Sequence, residues 1–301
     1  MRSRFNAFLW GGLTMVFALA LALYVASLEK AFESNPPPNI PLAPIAGYFS
    51  QAPDYSLLPI VLYFFGVVAV IVVVLFFMPL RWLKWLFRLL ITLLFAWGVF
   101  IVAGLTLPLH IAYPLALAAV AGLFWLFWAR IWLHDLLLVV ALAAAGSVFG
   151  YVVSPWTFMG FMLVIAVYDV LAVRFGLMVW MADRLSESAS LPAFIFPRQA
   201  GDWNTSLETV RFADLKEKEV EEREHAVLGG GDIGFPLMLA VSVFFQADLA
   251  RAVLVGGFAL VGLLSAFLIQ MLWLKGRPMP AMPPIAFFSL VGFLLGPVFF
   301  S

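Results

Sequence analysis

The sequence predicts an all-α integral membrane protein with nine transmembrane helices. Hydrophobic residues make up 64% of the 301-residue chain and charged residues 11%, whereas soluble domains are about half apolar and a quarter charged. Apolar runs of the ~20 residues that a helical span needs recur from end to end. The runs are continuous rather than alternating, which favours helices over barrel strands, the other way to satisfy backbone groups in lipid.

Two long polar segments separate the predicted spans. The first, 29–54, contains Pro36, Pro37 and Pro38 and is expected to be an extended loop, because proline cannot continue a helix. The second, 183–228, carries much of the charge, and 212–224 has the composition of an exposed helix. The predicted spans are 7–28, 56–79, 82–105, 110–129, 133–153, 156–182, 229–249, 252–273 and 281–300.

Positive charges lie mostly on one side of these spans. If the N-terminus is cytoplasmic, fourteen of the 17 Lys and Arg residues are cytoplasmic, and Lys30 and Arg251 are outside. Cytoplasmic loops of membrane proteins carry such an excess. The sequence therefore predicts a cytoplasmic N-terminus and an external C-terminus. It predicts six helices in 1–183, a cytoplasmic charged loop in 184–228 and three helices in 229–301.

The composition also limits the chemistry. There is no cysteine, so disulfides, thiol catalysis and thiolate metal sites are excluded. The net charge of zero gives no indication of a nucleic-acid partner. His110, His134 and His225 are scattered at span ends or in a loop, so neither a metal site nor a cofactor is predicted. His134 and Asp135 are interpreted as solvated residues at the membrane interface.

Asp169 is a carboxylate that the membrane environment does not explain. It lies roughly 20 Å along the sixth predicted span, and its neighbours are apolar apart from Tyr168. Ionisable residues within a span are costly and mark functional sites. An ion pair with Arg174 is disfavoured, because five positions separate the two on a helix. A hydrogen bond that packs two helices is the structural alternative.

Asp232 follows three glycines at the start of the seventh span. A carboxylate at a helix N-terminus is favoured by the helix dipole, so an interfacial role is one interpretation. Gly229, Gly230 and Gly231 indicate more, because glycine lets a neighbouring backbone come close and lets the chain bend. A Gly-x-Gly-Asp motif here, with Tyr-Asp in the preceding span, predicts two carboxylates that meet.

The ninth span begins with Pro280, Pro283 and Pro284. Prolines at this density prevent ordinary mid-helix structure. Irregular backbone at membrane depth is tolerated where protein or a water-filled cavity surrounds it. A loop that simply enters the last helix is the alternative.

Three short motifs together resemble those of the presenilin and signal peptide peptidase family, and the short chain looks most like its archaeal homologues. The motifs are Tyr168-Asp169, Gly229-Gly230-Gly231-Asp232 and Pro280-Ala281-Met282-Pro283. Their order and their placement on the sixth, seventh and ninth spans agree with the family. Met282 stands where the family usually has leucine, which is similar in volume. Bacterial prepilin peptidases share Gly-x-Gly-Asp but lack the other two motifs.

The resemblance implies an intramembrane aspartyl endopeptidase in a prokaryotic cell membrane, with Asp169 and Asp232 as the catalytic pair. The residues that it implies for shaping the site and aligning the substrate are Tyr168, Gly229, Gly231, Pro280, Ala281, Met282 and Pro283. Transmembrane-helix proteins or remnant signal peptides are the implied substrates, within the lipid bilayer and without cofactor, metal or nucleic acid. The two aspartates would activate a shared water, and an extended substrate would pair with a strand edge near the site. The oligomeric state is not indicated.

Two other functions compete with proteolysis. Membrane carboxylates often serve proton or cation movement, so a transporter or channel that uses Asp169 is the main alternative. The lack of paired, inverted interruptions in the two halves, and of other buried polar residues along a path, counts against it. The third interpretation is an assembly scaffold in which Asp169 binds a partner helix.

Overall fold

A computed structural model of the chain describes residues 2–34, 56–107, 110–177, 180–181, 191–210, 225–273 and 279–299. This part contains nine α-helices of 16 to 33 residues and one small sheet. The helix expected over 212–224 lies outside the described residues. The helices are α1 (Arg2–Ser34), α2 (Leu57–Phe77), α3 (Leu80–Thr106), α4 (Ala112–Phe127), α5 (Ile131–Val152), α6 (Pro155–Arg174), α7 (Gly230–Gln246), α8 (Leu249–Leu272) and α9 (Met282–Phe299).

The nine helices confirm the predicted all-α membrane architecture. Seven are long and apolar enough to cross a membrane, while α4 and α7 are shorter. Two boundaries differ from the prediction by more than five residues. The first helix continues to Ser34, past the predicted end at 28. The sixth ends at Arg174 rather than 182, because Gly176 has a φ of 70° and this left-handed conformation ends a helix.

Helix α7 lies at the centre of the molecule. It contacts α1, α5, α6, α8 and α9, and its residues Ile233, Leu237 and Val241 are buried. Gly150 of α5 makes the α5–α7 contact possible, since a Cβ at this position would lie 2.7 Å from the Val241 side chain. Small residues at helix interfaces let backbones approach closely in membranes. The segment that begins with Asp232 is therefore held on several sides.

The Tyr-Asp motif lies in α6, and the proline-rich motif lies at the start of α9, which packs against α8. Helix α6 packs against α2, α7 and α9, and α9 packs along α8. Where α8 meets the start of α9, a Cβ at Gly262 would lie 2.7 Å from the Ile285 Cα and 2.8 Å from the Pro284 carbonyl oxygen. Only glycine fits this contact without a shift of backbone. The beginning of α9 is thus fixed against α8.

A two-stranded antiparallel sheet is the feature that the all-α prediction missed. Strand β1 (Ala193–Pro197) pairs with β2 (His225–Gly229), with Ala193 opposite Gly229. Every residue of β1 is buried, whereas β2 is mostly half-buried. Strand β2 continues directly into α7. The polar segment between the sixth and seventh helices therefore includes packed structure beside the Gly-x-Gly-Asp motif.

Candidate active site

Asp169 and Asp232 lie at the same end of the helix bundle. Asp169 is five residues before Arg174, the last residue of α6, or about 7.5 Å along the helix. Asp232 is in the first turn of α7. Because α6 runs towards this end and α7 starts from it, the two carboxylates approach one another near one surface. Asp169 is thus closer to a helix end than the predicted span suggested.

The two carboxylates are close enough to interact electrostatically across the α6–α7 contact. Asp169 is buried, with 5% of its surface exposed, and Asp232 is half-buried. Arg174 forms no ion pair with Asp169, in agreement with their spacing. Among the described residues, no group of three or more His, Cys, Asp or Glu side chains could hold a metal ion. The arrangement offers two neighbouring carboxyl groups, one near the end of α6 and one at the start of α7.

The start of α9 contacts the Asp169 carboxylate directly. The Met282 backbone N–H donates a hydrogen bond to Asp169 Oδ2 at 3.1 Å. Pro280 and Ala281 precede the helix in non-helical conformation. Pro283 lies in the first turn, where proline is tolerated because these N–H groups have no partner within the helix. The backbone, and not the side chain, of residue 282 makes the contact, so Met in place of the family Leu leaves it intact.

Three consecutive glycines bring the backbone to Asp232, and each faces a different neighbour. A Cβ at Gly229 would lie 3.1 Å from Asp232 Oδ2. At Gly231 it would lie 3.0 Å from the Phe235 ring. At Gly230 it would lie 2.8 Å from the Pro192 carbonyl oxygen, which also accepts a hydrogen bond from the Gly230 N–H at 3.1 Å. The motif pointed to Gly229 and Gly231, whereas the strict steric requirement at Gly230 was not predicted.

Tyr168 borders the site on the side of α2. Its ring centroid lies 5.5 Å from that of Phe65 and 6.1 Å from that of Phe64. Phe64 also contacts Phe161 of α6 and Phe235 of α7, at 5.4 and 6.3 Å. Edge-to-face aromatic pairs of this kind add to simple burial. Tyr168 therefore belongs to an aromatic cluster that joins α2 to the helices that carry the two aspartates.

The interpretation of His134 and Asp135 as solvated residues is wrong. His134 is 0% and Asp135 7% exposed. Both side chains bond to the backbone of β1: His134 Nε2 donates to the Ala193 carbonyl, and Asp135 accepts from the Ile195 N–H. Position at the start of a helix suggested solvent, and β1, some sixty residues away in sequence, covers them instead.

The interior also contains buried polar residues away from the two aspartates. Ser147 of α5 donates a hydrogen bond to Glu29 of α1, and both are buried. Ser242 of α7, also buried, donates to the Val153 carbonyl. These groups form local bonds between helices. The arrangement at the two aspartates is what counts against a transporter.

Comparison with known proteins gives a family match over most of the chain. The family described as "Signal-peptide peptidase, presenilin aspartyl protease" matches residues 14–301. No curated protein sequence matches the chain. A solved structure described as a presenilin family intramembrane aspartate protease in the C222 space group aligns with a TM-score of 0.65 and 20% identity, and the match covers 97% of this chain and 99% of the other. A second, in the P2 space group, aligns at 0.61 and 18%, covering 96% of each chain.

Proposed function

Since the chain belongs to the signal-peptide peptidase and presenilin aspartyl protease family, it is a multi-pass intramembrane aspartyl protease, and we propose that Asp169 and Asp232 are its catalytic pair. The observation that carries this proposal is the convergence of these carboxylates from neighbouring helices. Arg174, the charged residue nearest to Asp169 in sequence, does not pair with it. A scaffold that used Asp169 for one helix contact would not need a second carboxylate there.

The proposed chemistry is hydrolysis by a shared water. Two adjacent carboxylates in a poorly solvated place cannot comfortably both be charged, so one keeps its proton. The charged one takes a proton from the water, which attacks the scissile carbonyl. The protonated one donates a hydrogen bond to the developing oxyanion, and a proton then passes to the leaving amine. The roles belong to the pair, because the two groups titrate together.

The Met282 N–H contributes to the proposed chemistry at Asp169. A backbone donor at 3.1 Å from Oδ2 stabilises negative charge on that oxygen and fixes the orientation of the carboxylate. Asp232 is fixed by another route, since Oδ2 lies against the backbone of Gly229. Asp169 is therefore oriented by the proline-rich motif, and Asp232 by the glycines that precede it.

We propose that an extended substrate pairs with strand β2. It leads directly to Gly229 and Asp232, and it is more exposed than β1. A transmembrane helix hides its backbone, so the scissile segment must unwind before it can react. Strand addition to β2 would expose that backbone and carry it towards the two aspartates. We propose transmembrane segments as substrates on this basis, with remnant signal peptides as one class of them.

We propose that the catalytic end faces the cytoplasm, on the positive-inside rule. Arg81, Lys84 and Arg130 lie at helix ends on the side of β1 and β2. Because the chain has no cysteine, single cysteines can report the orientation. Gly201→Cys, at a position where a side chain has open space, is expected to react with a membrane-impermeant thiol reagent only from the cytoplasmic side. Ala247→Cys, between α7 and α8, is expected to react only from outside, and the reverse pattern would refute the orientation.

A cleavage assay tests the catalytic assignment. Purified protein is incubated with a single-span substrate, and products are identified by mass spectrometry. Wild type is expected to yield two peptides cut within the span, with inhibition by aspartyl transition-state analogues. Asp169→Asn and Asp232→Asn are expected to lose cleavage, whereas Asp248→Asn, which keeps the N-cap of α8, keeps it. Ion flux in liposomes without any product peptide would support the transporter instead.

A further inference from the structure

The buried pair His134 and Asp135 is not used by the proposed mechanism. Asp135 accepts a hydrogen bond from the Ile195 N–H, at 3.1 Å to Oδ1 and 3.3 Å to Oδ2. His134 Nε2 donates to the Ala193 carbonyl at 3.1 Å. Both residues are at the start of α5, and both partners are backbone atoms of β1. A carboxylate is costly to bury, so its contacts indicate what it holds in place.

The pair is itself held rigidly. The His134 ring lies 5.3 Å from the Phe95 ring and 5.8 Å from the Trp125 ring, measured between centroids. Phe95 and Trp125 are fully buried. The imidazole is therefore fixed by α3 and α4, and Asp135 is fixed beside it on the same turn of α5. The start of α5 is therefore a rigid element to which β1 is hydrogen-bonded.

His134 and Asp135 occupy the outer edge of β1. In an antiparallel pair, alternate residues direct their N–H and C=O groups to the same edge. The Ala193 carbonyl and the Ile195 N–H point to α5, so they are not available to another strand. An unoccupied strand edge is a template for pairing. That edge of β1 is therefore closed to an incoming strand.

Strand β1 in turn fixes the glycines before Asp232. Ala193 is opposite Gly229 in the sheet. One residue earlier, the Pro192 carbonyl accepts a hydrogen bond from Gly230, and only glycine fits there. A displacement of β1 would therefore move the backbone that leads into Asp232.

We propose that His134 and Asp135 are positioning residues, which anchor β1 to α5 and thereby hold 229–232 in the geometry for cleavage. By closing the outer edge of β1 they also keep an incoming substrate strand from pairing there. The catalytic part of this inference rests on the proposed function. The anchoring part does not, because it concerns the sheet alone.

Hydrogen–deuterium exchange, combined with cleavage kinetics, tests the proposal in purified full-length protein. Asp135→Ala removes the acceptor for Ile195. Asp135→Asn keeps an oxygen of similar size and position. Ser147→Ala is the matched control, because Ser147 is on the same helix and equally buried but bonds to α1.

In Asp135→Ala, amides of both strands are expected to exchange at least about tenfold faster, as the loss of a buried hydrogen bond implies. Exchange in the core of α7 stays unchanged. The kcat value falls at least about tenfold, and Asp135→Asn restores both properties to within about threefold. Ser147→Ala leaves the exchange of the strands as in wild type. Unchanged strand exchange in Asp135→Ala, or equal damage from Asp135→Asn or Ser147→Ala, would overturn the proposal.

The test still decides the proposal if wild type is inactive or if Asp135→Ala does not fold. If wild type cleaves no substrate, the proposed function fails, while the exchange data still decide whether Asp135 anchors β1. If Asp135→Ala does not fold, residue-resolved exchange in wild type decides instead. The Ile195 amide is expected to be as protected as the β1 amides that bond to β2. Fast exchange at Ile195 would refute the anchoring.

Discussion

The backbone N–H of Met282 donates a hydrogen bond to Oδ2 of Asp169 at 3.1 Å, which joins the start of α9 to one member of the proposed catalytic pair. The proline-rich segment before α9 thus has a direct chemical contact with the site. The contact depends on the backbone of one residue, and its position depends on the packing of α9 against α8. Both dependences lead to predictions.

Removal of the Met282 amide hydrogen should impair cleavage without unfolding the protein. Met282 is the first residue of α9, a position where proline is tolerated. In Met282→Pro, Asp169 loses a donor worth about 1.5–3 kcal/mol, so kcat should fall about 10- to 100-fold. Michaelis–Menten kinetics on a single-span substrate measure this change.

Met282→Leu is the control for the Met282→Pro variant. It keeps the amide and nearly the same volume, so its kcat should remain within about threefold of wild type. If Leu and Pro impair cleavage equally, the side chain and not the amide is what the site needs.

Gly262→Ala should weaken the site from a distance. The new Cβ would lie 2.7 Å from the Ile285 Cα, so α9 must shift away from α8, at a cost of about 1–3 kcal/mol. The midpoint of thermal unfolding should fall. Cleavage should fall as well, because α9 carries the Met282 amide.

Gly257→Ala is the matched control on the same helix. A Cβ at Gly257 meets no atom within 4 Å, and alanine favours helix by roughly 0.5–1 kcal/mol over glycine. This variant should be as stable as wild type or more so, with unchanged cleavage. Equal losses in the two variants would indicate that the close approach at Gly262 is unimportant.

Substitutions of Gly230 and Gly229 should differ in their effects on thermal stability and on cleavage. Gly230→Ala places a Cβ 2.8 Å from the backbone oxygen of Pro192, so the join between β1 and α7 must open. This variant should lose both thermal stability and cleavage. Gly229→Ala instead presses on Asp232 Oδ2 at 3.1 Å, which should reduce kcat with less effect on stability. A larger loss of thermal stability in Gly229→Ala than in Gly230→Ala would contradict this assignment.

The sequence was sufficient to predict the helices and to single out the two aspartates as candidates, because both leave local signals. Long apolar runs define the spans, and Asp169 is conspicuous among apolar neighbours. The contacts at Gly230 and Asp135 leave no such signal, since their partners Pro192 and Ile195 are 38 and 60 residues away in sequence. The β1 run Ala193–Pro197 was missed because five apolar residues in a charged segment are too short to predict a strand.

A comparison of single and double substitutions at the two aspartates tests the central claim most directly. Cleavage rates are measured for Asp169→Asn, Asp232→Asn and the double variant, each confirmed as folded. If one water is shared, each single change should lower kcat by about 10²–10⁴-fold, and the double variant should be no worse than the singles. Substantial cleavage by either single variant, or losses that multiply in the double variant, would contradict a joint role for Asp169 and Asp232.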